Sequence, residues 1–295
     1  MEYELIHRTE YQYSEPVTVS QHAARLEPAC EGRQELSGFS LEIYPRPDAI
    51  SSRQDYFGNK VTVFGIRELH RKLVVEARCR VVVRPFTPPV PALSAPWTQL
   101  SARLRDPVSP QDSGIYEFCM DSPMVQSSPE FAQWAGPCFG ASTPLLTGVG
   151  MLMERLHTEF EFDPVATEVA TPLEQVWKKK RGVCQDFAHV AIACLRSLGL
   201  PARYVSGYLR TIPPEGQPRM QGADASHAWF SAYCPVNGWV DFDPTNNLIP
   251  SDGHIVVAAG RDYSDVSPLC GILTGGGEHS LSVAVDVLPV EGQAR

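Results

Sequence analysis

The sequence predicts an α+β protein in which an N-terminal antiparallel β-sandwich or barrel precedes a part built from helices and an antiparallel hairpin. Three observations carry this. Strand-like runs crowd the first 85 residues, five prolines interrupt residues 85–96, and helix-start signals followed by a hairpin signal fill the remainder.

The runs FSLEIYP (39–45), KVTVFGI (60–66) and KLVVEARCRVVVRP (72–85) are rich in β-branched residues and alternate locally. Asp55, Gly58 and Asn59 mark a turn, with Gly58 and Asn59 able to take positive φ. The stretch PFTPPVPALSAP (85–96) cannot extend a central strand, because its prolines lack backbone donors. It reads as a linker.

Beyond it, Ser128-Pro129, Thr143-Pro144 and Thr171-Pro172 each pair a capping hydroxyl with proline at a first helical position. Glu174 stands in capping-box spacing from Thr171, and Leu173, Val176 and Trp177 form an apolar face. Lys178, Lys179, Lys180 and Arg181 read as solvated cations complementing the helix dipole, with Gly182 as the residue that ends the helix.

A new helix then opens on Cys184. At about 100° per residue, Phe187, Ala191, Cys194, Leu195 and Leu198 share its face, while Gln185, Asp186, His189, Arg196 and Ser197 fall opposite. Cys184 is thus expected to point inward from a first turn, where unpaired N–H groups favour an anionic sulfur. His189 lies about 140° away on the same wheel. Any base for this thiol must therefore come from elsewhere.

Gly199 ends that helix, and LPARYVSGYL (200–209) reads as a strand. HAWFSAYC (227–234) and WVDFDPT (239–245) then flank Asn237-Gly238, a strong hairpin signal. His227 at the start of one strand can meet a carboxylate at the end of its partner, either Asp241 or Asp243. A thiol nucleophile needs such a base, and the base needs a third group to fix its tautomer.

Composition narrows the partners. With 25 Lys and Arg against 34 Asp and Glu, the net charge of −9 supplies no basic field for nucleic acid or an anionic membrane. There is no signal-like N-terminus and no apolar run of roughly 20 residues, so a cytoplasmic location is expected. The eight cysteines form no C-x-x-C pair and are read as reduced thiols. No cluster has metal-ligand spacing, and no cofactor is expected.

The stretches RGVCQDFAHVAIACLRSLGLPARYVSGYL (181–209), SHAWFSAYC (226–234) and GWVDFDPTNN (238–247) resemble the transglutaminase-like superfamily. HRTEYQYSEPV, YPRPD, DYFGNKVTVFGI and HIVVAAGRDYSDVSPLCGILTGGG extend the resemblance to its bacterial subfamily with an N-terminal β-domain. The resemblance implies a papain-like core, with the cysteine-bearing helix packed on an antiparallel sheet. It also implies Cys184 as nucleophile, His227 as base and Asp243 as orienter, with Asp241 the runner-up. His254 and Gly260 to Tyr263 fit the subfamily and are assigned no chemistry, only framing of the site.

The expected division is a β-domain over 1–85, a linker and connecting segment over 86–127, and a transglutaminase-like domain with a C-terminal strand extension over 128–295. The expected activity is acyl transfer from an amide through a thioester, foremost hydrolysis of a peptide, protein or small amide. Transfer from protein glutamine to an amine is the alternative within the same chemistry. A silent binding scaffold is the alternative outside it, disfavoured because all three chemical groups are intact. Substrate choice is expected to rest on loops such as 210–225.

Overall fold

One long strand organises the N-terminal half. The computed structural model describes residues 1–30, 32–211 and 225–290. In it β1 (Glu2–Ala24) is followed by β2 (Gln34–Tyr44), β3 (Ala49–Gln54), β4 (Lys60–Ile66) and β5 (His70–Val83). Four helices come next: α1 (Trp97–Leu104), α2 (Pro110–Tyr116), α3 (Pro129–Ala135) and α4 (Leu145–Glu159). A two-residue strand β6 (Glu161–Phe162), α5 (Leu173–Lys179) and β7 (Arg181–Gly182) lead into α6 (Cys184–Ser197). The second sheet is β8 (Ala202–Leu209), β9 (Ala225–Cys234), β10 (Gly238–Phe242) and β11 (His254–Gly260). After α7 (Tyr263–Val266), β12 (Leu269–Gly275) and β13 (His279–Pro289) complete the described chain.

The register of β1 shifts between Gln12 and Val17, where Pro16 has no N–H to give a ladder. Up to Gln12, β1 pairs antiparallel with β5 and β13; from Val17 on it pairs mainly with β4 and β12. The seven-stranded sheet therefore curls into a half-barrel around a single bent strand. Its two C-terminal strands come from beyond residue 268. The expected C-terminal extension is physically part of the N-terminal sheet.

The second sheet runs β10-β9-β8-β11, antiparallel throughout. Tyr3, Leu5, Val81, Val83, Val285 and Val287 of the curled sheet share one continuous apolar core with α4, α6, β8 and β9. The division at 86–127 remains our proposal about segments of the chain, and that core runs across it. The connecting segment itself is not irregular, since α1 and α2 bury Leu100, Leu104 and Ile115.

Several local expectations are corrected. Ser128 caps α3, accepting from the Phe131 N–H at 3.3 Å, but at Thr143 and Thr171 the following proline is itself the capping residue and neither threonine caps. Thr171 Oγ1 instead accepts from Glu168 N–H at 2.9 Å. The left-handed residue that ends α5 is Lys180 (φ 53), not Gly182. Lys180 is not solvated either: its ammonium lies 2.9 Å from the Trp177 ring centroid and 4.5 Å from that of Phe160. Gly58 does take positive φ, whereas Asn59 acts through its side chain, which spans Asp55 and Ala259.

The largest correction concerns α6, which is buried on every side from Gln185 to Arg196. The sheet covers one face and α3, α4 and α5 pack on others. Its polar stripe faces hydrogen-bond partners, not water. Arg196 donates to the carbonyls of Phe118, Ala202 and Arg261 and to Ser122 Oγ. Among the described residues no helix is long and apolar enough to cross a membrane.

Candidate active site

A helix that begins on cysteine needs another residue to satisfy its first amides, and Asp186 does so from the third position. Its Oδ2 accepts from the Val183 N–H at 2.8 Å and from Thr167 Oγ1 at 2.6 Å. Burial pushes the Asp186 carboxyl up, against those two bonds. Gly182 has no Cβ because one would overlap the Asp186 carboxylate. Cys184 is thereby free to start α6, half-buried, with its side chain lining a cleft that His227 also lines.

His227 sits near the start of β9, opposite Gly207 of β8. Its Nε2 lies 2.8 Å from Asp243 Oδ2, so Nδ1 is the nitrogen left for the thiol. Burial pulls the His227 pKa down, but hydrogen bonding to Asp243 and to Cys184, with the charges of both, raises it to about 10.

Asp243 follows the last residue of β10 and closes a tight turn. Its N–H donates to the Leu248 carbonyl, and its Oδ1 accepts from the N–H groups of Thr245 and Asn246. Oδ2 takes His227, the Asn246 amide at 2.7 Å and His254 Nε2 at 3.0 Å. Burial opposes ionisation, yet the bonds from His227 and His254 hold the carboxyl well below the usual carboxylate range. Asp241 is elsewhere: it pairs across the strands with Ser231, whose hydroxyl donates to it.

His254, assigned no chemistry from sequence, is therefore a direct partner of the carboxylate. Its strand β11 lies two strands away from β9 across β8, a register no local pattern reveals. His189 is held apart, accepting from the Tyr263 N–H at 3.2 Å, and burial pushes it down to about 4. The segment Gly260 to Tyr263 frames the site: Asp262 caps α7 and accepts from Met124 N–H, while Tyr263 lines the cleft. Residues 212–224, expected to shape the pocket, lie outside the described residues.

His227, Asp243 and His254 are also the side chains that could hold a metal ion among the described residues, with donor atoms within 4.8 Å of one another. Both Nε2 atoms are already engaged with Asp243 Oδ2. A metal would have to replace both protons. Burial pushes the Cys79 and Cys119 thiols up to about 12 and also raises that of Cys138.

A cysteine-bearing helix packed on an antiparallel sheet, preceded by a curled sheet, defines an α+β protein of transglutaminase type. The comparisons agree. Residues 3–82 match the bacterial transglutaminase-like N-terminal region and residues 132–244 match the transglutaminase-like superfamily. The chain belongs to this superfamily. An uncharacterized protein of Mycobacterium tuberculosis is 40% identical over 99% of this chain and 94% of its own. A proposed cysteine protease from Cytophaga hutchinsonii shares the fold, with a TM-score of 0.75 and 22% identity over 99% of this chain and 92% of that one. A protein-glutamine gamma-glutamyltransferase of Pseudomonas aeruginosa is 29% identical over 106 residues, 35% of this chain and 16% of that protein.

Proposed function

We propose that the protein cleaves amide bonds by cysteine-dependent acyl transfer, acting on a peptide or protein. The observation that carries this reading is the position of His227, hydrogen-bonded through Nε2 to Asp243 and interacting with Cys184 in one cleft. Cys184 Sγ attacks the carbonyl carbon, and a backbone N–H at the start of α6 supports the oxyanion. Protonated His227 gives its proton to the departing amine as the C–N bond breaks, leaving a thioester. Water then attacks, losing its proton to His227, and the C–S bond breaks to free the acid. Asp243 orients the ring throughout.

A second reading, in which an amine replaces water, draws on the similarity to the Pseudomonas aeruginosa gamma-glutamyltransferase. Purified protein assayed against peptides, isopeptides and glutamine–amine pairs separates the two. Hydrolysis without amine incorporation, abolished in Cys184→Ala, is the expected result. Under limiting iodoacetamide at mildly acidic pH, Cys184 should be alkylated before the other seven cysteines, and His227→Ala should slow it. Uniform alkylation of several cysteines, indifferent to His227, would remove the basis of the proposal.

A further inference from the structure

The cleft beside Cys184 has a wall that the superfamily core does not supply. It encloses about 430 Å³, within the ~300–1,000 Å³ common for ligand clefts. On one side are the start of α6 and strands β8 and β9. On the other stand three consecutive cross-strand pairs from the curled sheet: His7 with Val285, Thr9 with Val283, and Tyr11 with Leu281. Alternation in both strands turns all six side chains to the same face.

This ladder is graded. His7 and Val285 are buried at its deep end, where His7 bonds to Tyr208 and Thr9. Val283 and Leu281 at the outer end remain 47% and 53% exposed. No Lys, Arg, Asp or Glu lines the cleft among the described residues. An open apolar strand face directed at a candidate nucleophile is a place for an apolar ligand, because a charged side chain there would lose water without gaining a counter-ion.

We infer that the β1–β13 ladder is the specificity wall of this site and receives an aliphatic or aromatic side chain of the substrate's acyl residue. The inference rests on the proposed thioester chemistry. Acyl transfer holds the acyl part on Cys184 after the amine has left and until water releases it, so a wall facing the sulfur holds the acyl part. The substrate class is then a peptide amide with an uncharged apolar residue on the acyl side of the scissile bond. The N-terminal sheet thus has a recognition role, made possible only because β13 returns to it.

The test uses the full-length protein and the chloromethyl ketones of acetyl-leucine, acetyl-phenylalanine, acetyl-aspartate and acetyl-lysine, in which the thiolate displaces chloride. Labelling of Cys184 is followed by mass spectrometry and divided by the iodoacetamide rate of the same variant. The leucine and phenylalanine reagents should react about tenfold or more faster than the charged pair. Val283→Asp and Leu281→Asp, at positions exposed enough to accept a carboxylate, should erase that preference, and Val283→Lys should favour the aspartate reagent. Equal rates for all four reagents, or a preference that survives both aspartate variants, would overturn the inference. Because alkylation needs no turnover, apolar-selective labelling without amide hydrolysis would reject the proposed hydrolysis and keep the wall. Absence of labelling at Cys184 by every reagent would reject both.

Discussion

His254 donates from Nε2 to the same oxygen of Asp243 that holds His227, at 3.0 Å against 2.8 Å. A carboxylate only accepts, so the His254 proton must be on Nε2, and its buried Nδ1 has no partner among the described residues. His254→Ala should remove one donor from the carboxylate and lower kcat/KM about tenfold or more, as expected for a bond of ~1.5–3 kcal/mol to a charged group. His254→Gln, which can still donate, should recover part of the loss. Wild-type kinetics in both variants would reduce His254 to packing.

Asp243→Asn should leave the fold intact but permit the wrong imidazole tautomer, reducing turnover by roughly 10⁴ as in a serine triad. Asp241→Asn should cost little, because Asp241 bonds to Ser231 and not to His227. Circular dichroism and thermal melts must accompany the kinetics. A dead, folded Asp241→Asn beside an active Asp243→Asn would move the carboxylate role.

Stability should fall on both sides of neutrality, for opposite reasons. Burial pushes His7 from 6.5 down to about 4, so over that interval the unfolded chain binds protons that the folded one refuses. His189, buried and only partly compensated by Asp262, behaves in the same way. Each subtracts up to about 1.4 kcal/mol per pH unit as pH falls from 6.5 to 4. His227 is raised, so its contribution is complete below 6.5 and lost as pH rises through about 10. Urea melts across pH should show this dome, with His7→Gln flattening the acid limb; an unchanged acid limb would contradict the burial assigned to His7.

Gly207→Ala should destabilise by about 1–3 kcal/mol or more. A Cβ there would overlap the Ile255 carbonyl oxygen and the Trp229 ring. Trp229 packs edge-on against His254 at 5.3 Å, so the substitution should also lower activity. An unaltered melting temperature would mean that β8 and β11 separate more easily than their packing implies.

Chymotrypsin should cut first after exposed Phe86, ahead of the connecting helices. The nicked halves should still elute together, since β12 and β13 pair with β1 and the core crosses the cut. Separation into two folded fragments without denaturant would instead favour autonomous domains.

Much of this architecture is written locally. The alternation in residues 60–66 and 72–85 and the Asn237-Gly238 turn yield β4, β5 and the β9–β10 hairpin. Cys184, His227 and Asp243 are likewise marked by short flanking patterns. What escaped was non-local. The wheel for α6 separates polar from apolar residues correctly, but cannot tell water from a second layer of helices waiting with hydrogen-bond partners. The run at Lys178 to Arg181 looks solvated until Trp177 and Phe160 are seen around Lys180. His254 carried no local sign of its role because β11 reaches the site across β8.

The pairing of β1 with β13 has a consequence for the timing of assembly. Tyr11 and Leu281 are about 270 residues apart, among the longest closures this chain can make, and long closures are slow. On the ribosome, β1 emerges early with one edge open on β5's far side, while Cys184, His227 and Asp243 are all synthesised before β13. The proposed nucleophile and its base can therefore meet before the opposite wall exists. On the proposed chemistry, a nascent chain at that stage would carry a reactive thiol without selectivity, and arrival of β13 would make it selective.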